Sequence, residues 1–204
     1  MTRVLVDTLK CVADLRWLKL FEVSYERPSG ARGTWSLASR NATPRLDGSP
    51  LSPAAVFLVP LLRTPEGTRL VMMREFRIPL GDYEYSFPAG LLDPGESVET
   101  TARRELHEET GLTVTSVRAL SPAVASSAGM TDESAVIVFL ECTGTPHTEN
   151  CEASEDIHLL VLDFEQMCAL RRTPVKFSSK AWLITLLFET VGRLDWPAAL
   201  LEGT

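Results

Sequence analysis

Residues 90–112 read GLLDPGESVETTARRELHEETGL, and the reading of this stretch governs the rest of the chain. Val98, Ala102 and Leu106 recur every four residues, the spacing of one helix face. Ser97 can cap the first turn, and Gly111 stands where a helix-terminating glycine belongs, so a helix of about three to four turns is expected between them. Glu105 and Glu109 are four apart and project from one side of that helix, with Glu108 close beside them. Like charges so placed destabilise a bare helix. The opposite face, with Val98, Ala102 and Leu106, is therefore expected to anchor it, and something must neutralise the acids.

Hard divalent cations with oxygen ligands answer that need. Mg²⁺ in particular is usually held by few carboxylates together with the oxygens of a substrate phosphate. Arg104 can pair with Glu96 or with one of the helix glutamates and fix a carboxylate rotamer, a structural role. For an arbitrary acidic run a solvated helix face would be the default. Here the fixed positions Gly90, Glu96, Arg104, Glu105, Leu106, Glu108, Glu109, Gly111 and Leu112 form a spaced pattern whose chance occurrence in a chain of this length is about one in ten million.

The 204 residues are 45% hydrophobic and 23% charged, enough for one sizeable core with a small appendage. A net charge of −7 argues against a general binder of nucleic acid or anionic membrane, and an anionic substrate would need a metal or local arginines. Cys11, Cys142, Cys151 and Cys168 form no CxxC pair, so neither a zinc ribbon nor a disulfide framework is indicated. Asp7, Lys10 and Asp14 interrupt what would be the apolar stretch of a signal peptide, and no uncharged run approaches the ~18 residues of a membrane span. The expectation is a cytoplasmic protein.

Outward from the central helix, Leu20–Tyr25 and Thr34–Ala38 read as two strands of a hairpin whose turn carries Pro28 and Gly30. A Pro/Ser/Gly/Asp-rich connector from Asn41 to Pro53 places a boundary near residue 50, giving an N-terminal strand region, 1–50, and a main domain, 51–204. Ala54–Leu62, Arg69–Glu75, Tyr83–Pro88, Ala135–Cys142 and His158–Leu162 read as strands, and Phe164–Arg171 and Ser179–Arg193 as helices. Mixed strands and helices around one long motif indicate an α/β or α+β sandwich.

The pattern from Gly90 to Leu112 fits G-x5-E-x7-R-E-U-x-E-E-x-G-U at every fixed place and resembles the Nudix box. The likeness extends from about Trp17 to Lys180 and is nearest to the ADP-ribose and ADP-sugar pyrophosphatases. It is carried by Arg16–Leu20, Thr34-Trp35, Arg74–Pro79, Phe87–Gly90, Ser121–Val124 and Ser154–Ile157. Where these relatives have proline before the glycine of the loop after the box, this chain has Ala128 before Gly129. The resemblance implies an α/β/α Nudix sandwich whose N-terminal β-hairpin is exchanged in a homodimer. It implies hydrolysis of ADP-ribose to AMP and ribose 5-phosphate with Mg²⁺ or Mn²⁺. Another nucleotide sugar, such as ADP-glucose or GDP-mannose, is the alternative substrate, and a non-catalytic nucleotide sensor the alternative class.

By the same resemblance Trp17 and Trp35 would sandwich the adenine, and Arg40 and Arg77 would face the substrate, where a guanidinium fork suits a diphosphate. Glu105, Glu109 and the Ala89 carbonyl would bind metal. Glu155 is the first choice for the general base or a further metal-site carboxylate, with Glu152 its competitor and Glu108 next in line.

Overall fold

The computed structural model describes residues 4–151 and 156–196. In chain order its strands and α-helices are β1 (Leu5–Asp14), β2 (Lys19–Glu26), β3 (Arg32–Ser39), β4 (Ala55–Thr64), β5 (Gly67–Arg77), β6 (Asp82–Ser86), β7 (Ala89–Leu91), α1 (Val98–Thr110), β8 (Thr113–Leu120), β9 (Val124–Ala125), β10 (Ser134–Thr143), β11 (Ile157–Leu162), α2 (Phe164–Arg171) and α3 (Ser179–Val191). Two compact units emerge, one within Met1–Ala54 plus Ala123–Ala135 and the other within Ala55–Pro122 plus Val136–Thr204.

In the first unit the expected hairpin of β2 and β3 closes through Arg27 N–H to the Ala31 carbonyl at 2.8 Å, with Gly30 in the left-handed region at φ 81°. It is completed to three strands by antiparallel β1, which the sequence did not announce. The reason is physical. Nearly every residue of β1 is exposed and two register shifts interrupt its pairing with β2, so no apolar alternation survives to be read. Phe21, Val23 and Leu37 form a small core with Leu9 and Leu46 against it. The stretch 123–135 joins this unit through backbone and side-chain bonds. Ala38 N–H donates to the Met130 carbonyl at 2.8 Å, and the Ser39 hydroxyl to Asp132 at 3.0 Å.

The second unit is built on the strand order β11-β5-β4-β10-β8, with β6 on β5 and β7 on β4. β4 is a continuous apolar run because both of its faces are covered. Phe57, Val59 and Leu61 turn to one face, with Leu70 and Met72 of β5, and pack with Met167 and Cys168 of α2 and Ala181, Ile184 and Phe188 of α3. Val56, Leu58, Val71 and Met73 turn to the other face, where α1 lies against β4 and β7. The layers are therefore α/β/α. β8 was also silent in the sequence, since two register shifts against β10 break its alternation.

Each helix is bounded by its own sequence. Ser97 accepts from Thr100 N–H and Gly111 ends α1 at φ 69°; Asp163 and Gln166 form a capping box on α2; Ser178 starts α3 and Gly192 stops it. No helix among the described residues is long and apolar enough to cross a membrane.

Between β6 and β7 the fully buried Phe87 meets Phe57 edge-on at 5.7 Å between ring centroids. Phe87→Ala should lower the unfolding free energy by about 3–5 kcal/mol, since the lost contacts leave a cavity directly before Ala89 and Gly90. Urea denaturation at unchanged slope checks it, and a loss below about 1 kcal/mol would contradict the packing described.

Candidate active site

The box begins on β7, which pairs antiparallel with β4 so that Val56 is opposite Gly90 and Phe57 opposite Ala89. The Glu105 carboxylate occupies the space a β-carbon on Gly90 would take, so it lies directly on the backbone there. The backbone of β7 is thus the floor against which the first helix acid is pressed.

Arg104 holds the acids together. Its Nη1 donates to Glu105 Oε1 at 2.8 Å and Glu108 Oε2 at 3.0 Å, its Nη2 to Glu96 Oε2 at 2.9 Å and the Leu91 carbonyl at 3.1 Å, and its Nε to Glu96 Oε1 at 3.2 Å. Asp93 stands at 3.9 Å. The Arg104 bonds, joined by the Thr101 hydroxyl at 2.8 Å, pull the Glu96 carboxyl down to about 2, while the same acids raise the guanidinium above its ordinary value. Thr101, wholly buried, is a participant that the sequence reading passed over. Its signal was available, since position 101 lies four residues after the cap Ser97 and so faces back to the loop carrying Glu96.

Glu109 is 5% exposed and accepts from the Ala89 N–H at 3.0 Å through Oε2. This corrects the expectation that the acids and the anchoring residues occupy opposite faces of α1. Glu109 is three residues from Leu106 and seven from Ala102, both fully buried, so it lies on their stripe and enters the core edge with them. Glu105 is largely covered and Glu108 about half exposed. A carboxylate buried beside a strand end, with a second on the preceding turn, is an all-oxygen donor set suited to a hard divalent cation. Among the described residues no group of three or more His, Cys, Asp or Glu converges as a ready cage.

Arg77 lies on the α1 side of β5, two residues along from Glu75 on the same face. It donates to Glu75 Oε1 at 2.6 Å and lies 3.7 Å from Glu84 Oε2. The other three residues with expected substrate roles belong to the first unit. Trp17 is 68% exposed with the Arg16 guanidinium 4.5 Å above its ring, and Trp35, opposite Val23, is 51% exposed. Arg40 bonds Glu133 at 3.1 Å and the Trp17 carbonyl at 3.5 Å, which the sequence did not foretell. Glu152 and Glu155 lie outside the described residues.

The depressed Glu96 carboxyl makes a pH prediction. Its folded value of about 2 lies below the ordinary 4.5, so the unfolded chain takes up the proton first as pH falls. The stability contributed by the Arg104 pairing is complete above about 4.5 and is lost between there and about 2. Glu96→Gln should flatten the stability profile across that window, and an unchanged acid limb in denaturation measurements would refute the pairing.

The pattern of the NUDIX domain matches residues 52–183, well over half of the chain. The mouse ADP-sugar pyrophosphatase is 33% identical over 144 residues, covering 69% of this chain and 62% of that protein. The ADP-ribose pyrophosphatase of Saccharomyces cerevisiae is 30% identical over 135 residues, covering 65% and 56%. The matched region thus spans less than two thirds of either relative. A crystal structure of ADP compounds hydrolase superimposes with a TM-score of 0.67 over 95% of this chain and 98% of that one, at 22% identity, which shows a shared fold. With the box complete on β7 and α1, the chain belongs to the NUDIX domain family.

Proposed function

We propose that this chain hydrolyses the pyrophosphate bond of ADP-ribose, giving AMP and ribose 5-phosphate, in the presence of Mg²⁺ or Mn²⁺. The observation that carries the reading is the seating of Glu105 on the Gly90 backbone and of Glu109 on the Ala89 N–H, which gathers two carboxylates at one strand end. The names of the mouse and yeast relatives supply the substrate class. A divalent cation bound there supplies charge neutralisation of the pyrophosphate and acidifies the attacking water.

In this reading Glu105, Glu109 and the Ala89 carbonyl hold the cation, and Arg104 keeps Glu96, Glu105 and Glu108 in fixed rotamers. Arg77 and Arg40 orient the diphosphate. Glu155 takes the proton of the attacking water or completes the cation's ligands, Glu152 being the competing loop acid, followed by Glu108. Trp17 and Trp35 stack on the adenine from two subunits of a homodimer, and their large exposed ring surfaces support this. The exposed apolar residues Leu5, Val6 and Val12 on edge strand β1 support a subunit contact. A cytoplasmic location and the exclusion of nucleic acid and membrane partners complete the proposal.

The test is turnover of ADP-ribose, ADP-glucose, GDP-mannose and NADH with Mg²⁺ and with Mn²⁺. ADP-ribose should give the highest kcat/KM, with AMP and ribose 5-phosphate as products. Preference for ADP-glucose or GDP-mannose would transfer the activity to another nucleotide sugar, and no turnover of any would leave a nucleotide sensor. Glu109→Gln should remain folded and lose about 10²–10³ in kcat, because an amide keeps the size and gives up the charge. Near-normal turnover in that variant would remove Glu109 from the site.

A separate measurement addresses the adenine. Trp35→Ala should raise KM for ADP-ribose about tenfold with a smaller change in kcat, since stacking is shared by ground and transition states. An unchanged KM would remove Trp35 from the proposed site.

A further inference from the structure

The last four carbonyls of a helix have no partners within it. In α1 they belong to His107, Glu108, Glu109 and Thr110; the capping Gly111 N–H donates to the first at 2.9 Å, and one five-residue segment, His147–Cys151, meets the other three and adds a side-chain contact to the first. His147 N–H donates to the Thr110 carbonyl at 2.9 Å. The Asn150 amide donates to the His107 carbonyl at 3.4 Å, and the Cys151 thiol lies 3.7 Å from the Glu108 carbonyl and 3.6 Å from that of Glu109. The segment is itself folded, with Cys151 N–H on the Thr148 carbonyl at 3.2 Å. The His147 ring lies where a β-carbon on Gly111 would stand, so the segment also presses on the residue that ends the helix.

Water would satisfy an exposed helix end equally well, and the side-chain bonds are long, so their contribution to stability is small. What they fix is direction. The two carbonyls in contact with Cys151 are those of Glu108 and Glu109, so a rotation of this last turn would carry the Glu109 carboxylate off the Ala89 N–H. We propose that His147–Cys151 is a strap that aims the acids of the last turn of α1 at the strand end, with Asn150 and Cys151 as positioning residues. This rests on the reading of that strand end as a divalent-cation site, since aiming matters only where a ligand must be met.

The experiment uses the full chain and Mn²⁺ alone as probe, with free Mn²⁺ measured by electron paramagnetic resonance. Asn150→Ala combined with Cys151→Ala should weaken Mn²⁺ binding about tenfold. Cys151→Ser should bind as the parent does, because a hydroxyl donates to the same carbonyls. In turnover of ADP-ribose, the double variant should need about tenfold more Mn²⁺ for half-maximal rate, with an unaltered substrate KM once metal is saturating. Parent-like Mn²⁺ affinity in the folded double variant, or a Cys151→Ser variant as weak as Cys151→Ala, would overturn the proposal. Should the double variant not fold, Asn150→Ala alone decides, because Asn150 is exposed; unchanged affinity there overturns the strap. A parent chain that binds Mn²⁺ without hydrolysing nucleotide sugars would refute the proposed function and leave the strap standing, whereas one that binds no Mn²⁺ would refute the strap.

Discussion

The guanidinium of Arg104 is the constraint on which the rest of the site depends. Three carboxylates, those of Glu96, Glu105 and Glu108, lie within hydrogen-bond reach of one side chain. Without a cation between them their repulsion would splay the loop from the helix and the helix turns from each other. A planar fork with five donors can serve all three acids and the Leu91 carbonyl together, which an ammonium on a flexible stem does less well. The loop of Glu96, the end of β7 and two turns of α1 thereby become one rigid piece.

That piece sits on a sheet whose two faces do different work. β5 shows the change along a single strand. Leu70 to Met73 are buried on both sides, and then the strand emerges from the core with Glu75 and Arg77 on the α1 side and Arg74 on the other, its guanidinium 4.6 Å above the Tyr83 ring. The apolar half fixes the strand's height against α2 and α3. Its polar end is positioned by that packing without contributing to it.

The sequence made α1 legible because helix period, N-cap and terminal glycine agreed, and the box placed every acid in order. The buried strands β4, β5 and β10 were legible as apolar runs for the same reason, namely that burial on both faces leaves an unmistakable composition. β1 and β8 were not, since bulges and exposure erased their alternation. The face of Glu109 was misassigned because a carboxylate was presumed to turn outward, although its spacing from Ala102 and Leu106 already put it on the buried stripe. The strap at His147–Cys151 was invisible, because its partners are backbone carbonyls some forty residues earlier, and backbone atoms leave no mark in a sequence.

The stretch 123–135 has a bearing on how the chain can be divided. Because it departs from the second unit, contributes Met130 and Asp132 to the first, and returns through β10, the polypeptide passes between the units three times rather than once. No single cut separates them. A fragment ending near residue 54 would lack the loop that bonds Ala38 and Ser39, and one starting there would carry that loop without its partners. The N-terminal sheet is therefore not a detachable module that could be shuffled between proteins by joining ends. Its inheritance is tied to that of the loop following the box, and sequence change in either is felt by the other.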